Sequence, residues 1–264
     1  MKEYKVILPR KELIPFVKHY WVFEETGINS VIERAIPIGC MQLVFHMGTP
    51  PFSTLKNDYQ PQSFVEGHMS SFSDLTYHGH CKQVVVVFTP QGTQAFFNIP
   101  MCELYNNYVS IEELNDNVLM ELDRRISDTQ DKYSAVSIIE DALMSKIKVH
   151  DNFNRICFAI NAFEKNNRID IKELSKELCL SYKQFSRIFF NQTGINPKEL
   201  ARTIRFQWAM NCLQANKNIT TNILAEKSGY YDESHLSREF KSFTGYTSNE
   251  YALNCLAYSD YFII

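Results

Sequence analysis

The sequence predicts an α+β protein: a β-rich N-terminal half, then an all-α half with two helix-turn-helix units joined by a long helix. Three observations lead there. Short β-branched and aromatic runs fill much of the first ninety residues. Helical periodicity takes over from about Gly92, and everything after Asp151 reads as helix. A stretch at 173–200 recurs at 223–251.

In chain order, "KELIPFVKHYWVFEE" reads as a helix with Pro15 in its first turn, where a missing N–H is tolerated. "MQLVFHMG" (41–48), "SFVEGHM" (63–69) and "QVVVVFTP" (83–90) read as strands, separated by segments rich in Pro, Gly, Ser and Asn. Residues 112–129 and 131–148 carry apolar side chains at three- and four-residue spacing, for example Tyr133, Val136, Ile139 and Leu143. "NFNRICFAINAFEKN" places Phe153, Ile156, Cys157, Ile160 and Phe163 on one helical face. The expected division is 1–110 as a β-rich domain, 111–150 as a helical linker and 151–264 as the helical domain.

Composition narrows the function classes. A chain of 264 residues is long enough for two cores. Its net charge of −3 confines any nucleic-acid contact to a local surface. Residues 1–150 hold 13 Lys/Arg against 18 Asp/Glu, and residues 151–264 hold 14 against 12, so the balance moves from −5 to +2. The opening residues contain no long apolar run and no small-residue cleavage site, so no signal peptide is expected. No segment reaches the roughly 18–20 apolar residues of a membrane span. Seven scattered cysteines without a C-x-x-C pair suit reduced thiols in the cytoplasm, packed as small hydrophobes.

The repeat carries most of the functional information. Leu174 matches Leu224, and after one inserted residue Ser186, Arg187, Phe189, Thr193, Gly194 and Glu199 match Ser237, Arg238, Phe240, Thr244, Gly245 and Glu250. Each copy reads helix, tight turn, capped helix, glycine stop, helix. Ser181 stands three residues before Gln184, the capping-box spacing, and Asp232 is the second cap. Gly194 and Gly245 fit the left-handed residue past a helix end. Between the copies, "PKELARTIRFQWAMNCLQ" reads as one helix with Pro197 at its first position. Such a helix spans on the order of 27 Å, close to the roughly 34 Å between successive major grooves on one side of B-DNA. Leu236, Phe240 and Phe243 would pack inward. Ser, His and Arg would face base edges and phosphates.

"GYYDESHLSREFKSFTGYTSNEY" resembles the AraC/XylS family of bacterial transcription regulators, whose pattern is G-F-x-D-x-S-H-F-x-R-x-F-K-x-x-x-G-x-[ST]-P-x-x-[FY]. Tyr230 and Leu236 replace two Phe, Ser248 replaces Pro, Cys179 stands where the first unit commonly has Gly, and Phe190 replaces a Lys. The resemblance covers roughly 155–256. It implies base-reading roles for Lys183, Ser186 and Arg187 in the first unit and for Ser234, His235, Ser237 and Arg238 in the second. Glu233 puts an acid at the front of that second helix, able to accept from cytosine or to repel phosphate. Lys172, Lys198 and Lys241 are phosphate candidates by charge and location. "YW" at 20–21, "AIPIGCMQLVFHMG" and "VVVVFTPQGTQAFFNIP" resemble the cupin-like sensor half of one subgroup. That implies a pocket for a small-molecule or peptide effector, with Trp21, Phe45 and Phe88 as candidate lining, and helices able to pair two copies through 131–147. Double-stranded DNA is the expected partner, with RNA polymerase and a second copy as candidates and no membrane.

Competing classes are weaker. "HGH" at 78–80 has the His-x-His spacing of cupin metal sites, but the downstream acid and histidine are missing, so no metal or cofactor is expected. Cys40, Cys81 and Cys102 lack the clustering of a zinc-activated methyl acceptor. No Ser-His-Asp set, phosphate-cradling loop or carboxylate pair stands out, which points away from an enzyme. The alternatives are an interaction module that does not bind DNA and a metal-dependent cupin-type enzyme.

Overall fold

The computed structural model describes residues 2–129, 131–166, 168–216 and 218–253. The N-terminal part is an antiparallel sheet of eight strands: β1 (Lys2–Ile7), β2 (Val17–Ala35), β3 (Gln42–His46), β4 (Phe52–Ser53), β5 (Asp58–Tyr59), β6 (Ser63–Glu66), β7 (Ser73–Phe88) and β8 (Tyr108–Ser110). The main order is β1-β2-β7-β3-β6-β8, with β4 paired to β5 and β7. The expected first helix is instead a single 3₁₀ turn, Lys11–Leu13, followed by β2. The run from Val17 to Phe23 is β-branched and aromatic, and a partner strand is available. Val22 faces Val84 and Trp21 faces Val85 across β2 and β7. Long-range pairing therefore overrides a weak local helical pattern. Irregular register near Val17, Glu25 and Ile28 bends the 19-residue β2 around the sheet.

The two faces of this sheet separate by strict alternation. Tyr20, Val22, Leu43, Phe45, Val84, Val86 and Phe88 point to a core closed by α2 (Asn117–Ser127) and α3 (Lys132–Lys146), which follow the single turn α1 (Ile111–Leu114). Trp21, Phe23, Val44, Phe64, Leu75, Tyr77, Val85 and Val87 line the opposite, concave face. Coverage on both faces explains why "VVVVF" is apolar throughout. Ala135, Val136, Ile139 and Leu143 of α3 are buried in the chain's own core, while Tyr133 and Met144 on the same helix stay exposed.

The helical part comprises α4 (Phe153–Lys165), α5 (Ile171–Glu177), α6 (Tyr182–Thr193), α7 (Pro197–Ala215), α8 (Thr221–Lys227), α9 (Glu233–Thr244) and α10 (Ser248–Leu253). It has two cores. Ile156, Ile160, Phe163, Leu174, Phe185, Phe189 and Leu200 form one; Phe206, Met210, Leu213, Leu224, Leu236, Phe240 and Phe243 form the other. The start of α7 belongs to the first core and its remainder to the second. Arg202 of α7 fastens α9: its Nε donates to both carboxylate oxygens of Glu239 at 2.9 and 2.8 Å.

The sheet docks on both units at equivalent places. A Cβ at Gly194 would collide with Met41 and the Met101 carbonyl, and one at Gly245 would crowd Arg34 and Phe72. Both glycines are left-handed, at φ 75° and 78°, so each is required twice over, by conformation and by contact. Arg34 holds Asp74 through Nε and Nη2 at 2.7 and 2.8 Å and donates from Nη1 to the Thr244 carbonyl at 3.0 Å. Its guanidinium also lies over Phe72 and Tyr246. Tyr105 donates to Glu199 at 3.0 Å, and Gln207 donates to the Pro37 carbonyl at 2.6 Å.

Two consequences can be measured. Arg34→Ala removes a half-buried ion pair and a hydrogen bond across the junction, and is expected to lower stability by about 1–3 kcal/mol. A denaturant titration reads this as a lower midpoint. Burial pushes His19, His46 and His68 down to about 4 from the ordinary 6.5. The unfolded chain therefore takes up protons first on acidification. The stability these groups confer is complete above pH 6.5 and is lost as pH falls toward 4. Glu66, raised to about 7 by burial, opposes the trend as one group against three. The melting temperature should drop between pH 6.5 and 4.5, and His68→Asn should flatten the slope. A flat wild-type profile would refute this.

Candidate nucleic-acid interface

Each helix-turn-helix unit is built by the same local bonds. Asp170 accepts from the Lys172 and Glu173 amides to start α5, and Thr220 accepts from Ile223 to start α8. In the turns, the Leu180 amide donates to the Ser175 carbonyl at 3.0 Å, and the Tyr230 amide donates to Ala225 at 2.9 Å. The turn residue is left-handed in both: Gly229 at φ 78° and Cys179 at φ 57°. A cysteine there bears strain on the order of 1 kcal/mol, yet the first turn keeps the same form as the second. Ser181 and Gln184 make a reciprocal capping box on α6, and Asp232 accepts from the His235 amide at 2.6 Å on α9. Thr193 and Thr244 each donate to the carbonyl four residues back, closing the two helices identically.

Capping fixes which faces turn outward. Phe185, Phe189 and Thr193 of α6 are buried, as are Leu236, Phe240, Phe243 and Thr244 of α9. Lys183 and Arg187 are exposed on α6; Ser234 and Arg238 are exposed on α9. The Arg238 Nε rests on the Ser234 carbonyl at 3.3 Å, which aims its guanidinium along the helix. His235 and Ser237 are half-buried, and His235 packs edge-on against Tyr230. The Ser186 hydroxyl is enclosed with no hydrogen-bond partner, so the structure does not bring it to the outer face with Lys183 and Arg187. Lys172, Lys198 and Lys241 are exposed.

Three further residues lie on this surface without having been singled out in the sequence. Tyr231 is 93% exposed immediately before the α9 cap, Tyr182 is exposed at the first position of α6, and Arg168 lines a shallow groove with Tyr231, Glu233 and Ser234. The doubled aromatic of "GYYD" is the available signal: Tyr230 fills the core position and Tyr231 is left over. The two outer helices differ in charge. Residues 182–193 contain Lys183 and Arg187 and no acid, whereas residues 233–244 set Arg238 and Lys241 against Glu233 and Glu239. Arg202 engages Glu239 from behind, so Glu233 is the acid left at the front.

Two cavities adjoin the sheet. One of about 150 Å³ lies at the junction of the two parts and is lined by Lys18, Trp21, Glu164, Gln207 and Trp208 among others. A smaller one, about 40 Å³, sits in the concave face and includes Trp21, Gln42, Phe64, Glu66 and Tyr77. Trp21 lines both, while Phe45 and Phe88 sit in the helix-covered core. Among the described residues no three His, Cys, Asp or Glu side chains are grouped to hold a metal. His78 meets the Asn29 carbonyl and His80 meets Glu24, each at 3.0 Å. No helix among the described residues is long and apolar enough to cross a membrane.

Residues 5–110 match the family described as a domain of unknown function (DUF6597), and residues 174–254 match the helix-turn-helix domain family. A search of curated proteins finds no match. Among solved structures, the chain is similar to ToxT from Vibrio cholerae, with a TM-score of 0.49 at 13% identity over 90% of this chain and 98% of that one. An unsaturated fatty acid-bound form of wild-type ToxT gives a TM-score of 0.46 at 14% identity, covering 97% and 98%. The AraC-like transcriptional activator CuxR gives 0.25 at 11% identity, covering 81% and 86%. The helix-turn-helix match spans the second unit completely and the first from Leu174, and both units share one capped geometry about α7. The chain thus carries two helix-turn-helix units, and residues 174–254 belong to the helix-turn-helix domain family, a fold that binds DNA.

Proposed function

We propose that the chain reads two adjacent major grooves of double-stranded DNA with the N-terminal halves of α6 and α9, under the control of an effector bound in its N-terminal part. One observation supports this above the others. Both reading helices are held at their C-terminal glycine caps by the sheet, while their opposite ends stay exposed. Arg187 and Arg238 occupy the same place in the two units and suit guanine through paired donors. Lys183, Ser234, His235 and Ser237 complete the base-facing set, with Ser186 joining only if its side chain rotates outward. Lys172, Lys198 and Lys241 serve phosphates. The protein acts in the cytoplasm without a catalytic step of its own. RNA polymerase and a second copy, paired through the exposed side of 131–147, are the further partners this reading expects.

The unequal charge of the two helices divides the labour. The acid-free α6 supplies more of the salt-dependent anchoring, and α9 supplies proportionally more selectivity. Arg187→Ala and Arg238→Ala should each weaken specific binding by about 1–3 kcal/mol and relax preference at one base position. Lys172→Ala, at a phosphate contact, should weaken binding about equally on every sequence and lower the salt slope by about one unit. Footprinting and mobility shifts on DNA beside the gene, or on selected random sequence, across a salt series, measure all three. Protection of two adjacent grooves supports the reading. Loss of equal size on every sequence would make the arginines phosphate clamps. No specific binding by either route, with or without candidate ligands, would leave a protein-interaction module.

A further inference from the structure

The cavity in the concave face is built around a carboxylate without a cation. Glu66 closes β6 and lies deep, yet it keeps accessible surface because that surface faces the cavity. Its hydrogen-bond partner is the Gln42 amide, at 3.3 Å. No lysine, arginine or histidine is among the residues lining this space. Burial alone raises the Glu66 carboxyl to about 7, so nothing nearby neutralises it. Burial also raises the Tyr77 hydroxyl well above its ordinary range, so it stays a neutral donor and acceptor beside Glu66 and supplies no charge of its own. Trp21, Phe64 and Tyr77 present aromatic surface beside it. A deep carboxylate ringed by aromatic surface favours a positive guest through charge and through the ring faces. The larger cavity at the junction holds both signs, Lys18 and Glu164, and selects neither.

We propose that this cup is the effector site and that it takes the head group of a small organic cation, a protonated amine or guanidinium, with Glu66 as its counter-ion. The class of effector rests on the ligand-controlled reading above. The cavity holds several times the roughly 10–15 Å³ that one water needs, which is room for such a head group. The walls also provide a route outward. Ala35, Ile36, Ser73 and Leu75 line the cup, and they flank Arg34 and Asp74, the pair that grips the cap of α9. Ile36 itself packs in the core of the second unit. A guest that shifts these strand ends therefore changes how α9 is held.

The test is calorimetry and thermal shift on the full chain with n-butylamine and agmatine, against the uncharged n-butanol and the anionic butyrate. Saturable binding of an amine, at least about tenfold tighter than the alcohol and abolished by Glu66→Gln, is the expected result. Should Glu66→Gln fail to fold, the wild-type preference for amine over alcohol and butyrate decides alone. Equal binding of the alcohol, preference for butyrate, binding unchanged in Glu66→Gln, or no amine binding at millimolar concentration would overturn the proposal. DNA footprints with and without the amine separate the two readings. Amine binding that leaves every footprint unchanged keeps the site and removes ligand control. A specific footprint without amine binding keeps the regulator and removes the site.

Discussion

One helix sits in two cores, and the arrangement of the helical half follows from that. Leu200 near the start of α7 packs with Phe185 and Phe189, and Phe206 to Leu213 pack with Leu236, Phe240 and Phe243. An α-helix resists both bending and stretching, so a 19-residue rod of about 28 Å fixes the separation of the two units. Arg202 adds rotational control at one end: its bonds to Glu239 set how α9 rolls about its own axis. No comparable ion pair is formed by Ile188, which stands at the matching position of α6. The first unit is oriented by packing and the second by packing plus charge.

The sheet adds a second constraint to the same object. It touches both units where their reading helices end, through Met41 and Met101 on one side and Arg34 and Phe72 on the other. Tyr105, donating to Glu199, and the Pro37 carbonyl, accepting from Gln207, hold α7 between them. A change in the sheet therefore reaches the reading helices directly, with no intervening linker. The exposed N-terminal ends of α6 and α9 are the ends the sheet leaves alone.

Much of the helical half was legible because its signals are local. Ser181 with Gln184, Asp232, Gly194, Gly229 and Gly245 each act within a few residues, and all take the predicted conformations. Cys179 could have been a break in the pattern, but the surrounding hydrogen bonds hold it where glycine would sit. The β-half was less legible. The segment from Val17 looked helical because its partner, Val84 to Phe88, lies some sixty residues away. Which face each strand residue takes depends on register, and this placed Trp21 against cavities but Phe45 and Phe88 in the packed core. The Arg34 contact with Thr244 spans 210 residues and leaves no trace in local sequence. Glu66 in the cup was invisible for the same reason, since one acid in "SFVEGHM" reads as surface. The inward Ser186 hydroxyl shows that a shared motif position does not settle a side-chain rotamer.

The pairing of β2 with β7 also sets an order of assembly. The sheet cannot close until residues 17–35 meet residues 73–88, and β8 completes it at Ser110. All of that chain leaves the ribosome before the first unit does. Each helix-turn-helix unit needs only some thirty residues and forms by short-range contacts, which close quickly. The residues of the sheet are thus all made before those of the two units, and each glycine cap seats on a surface encoded ahead of it. In chain order, the residues that grip the caps of α6 and α9 all precede the helices they grip.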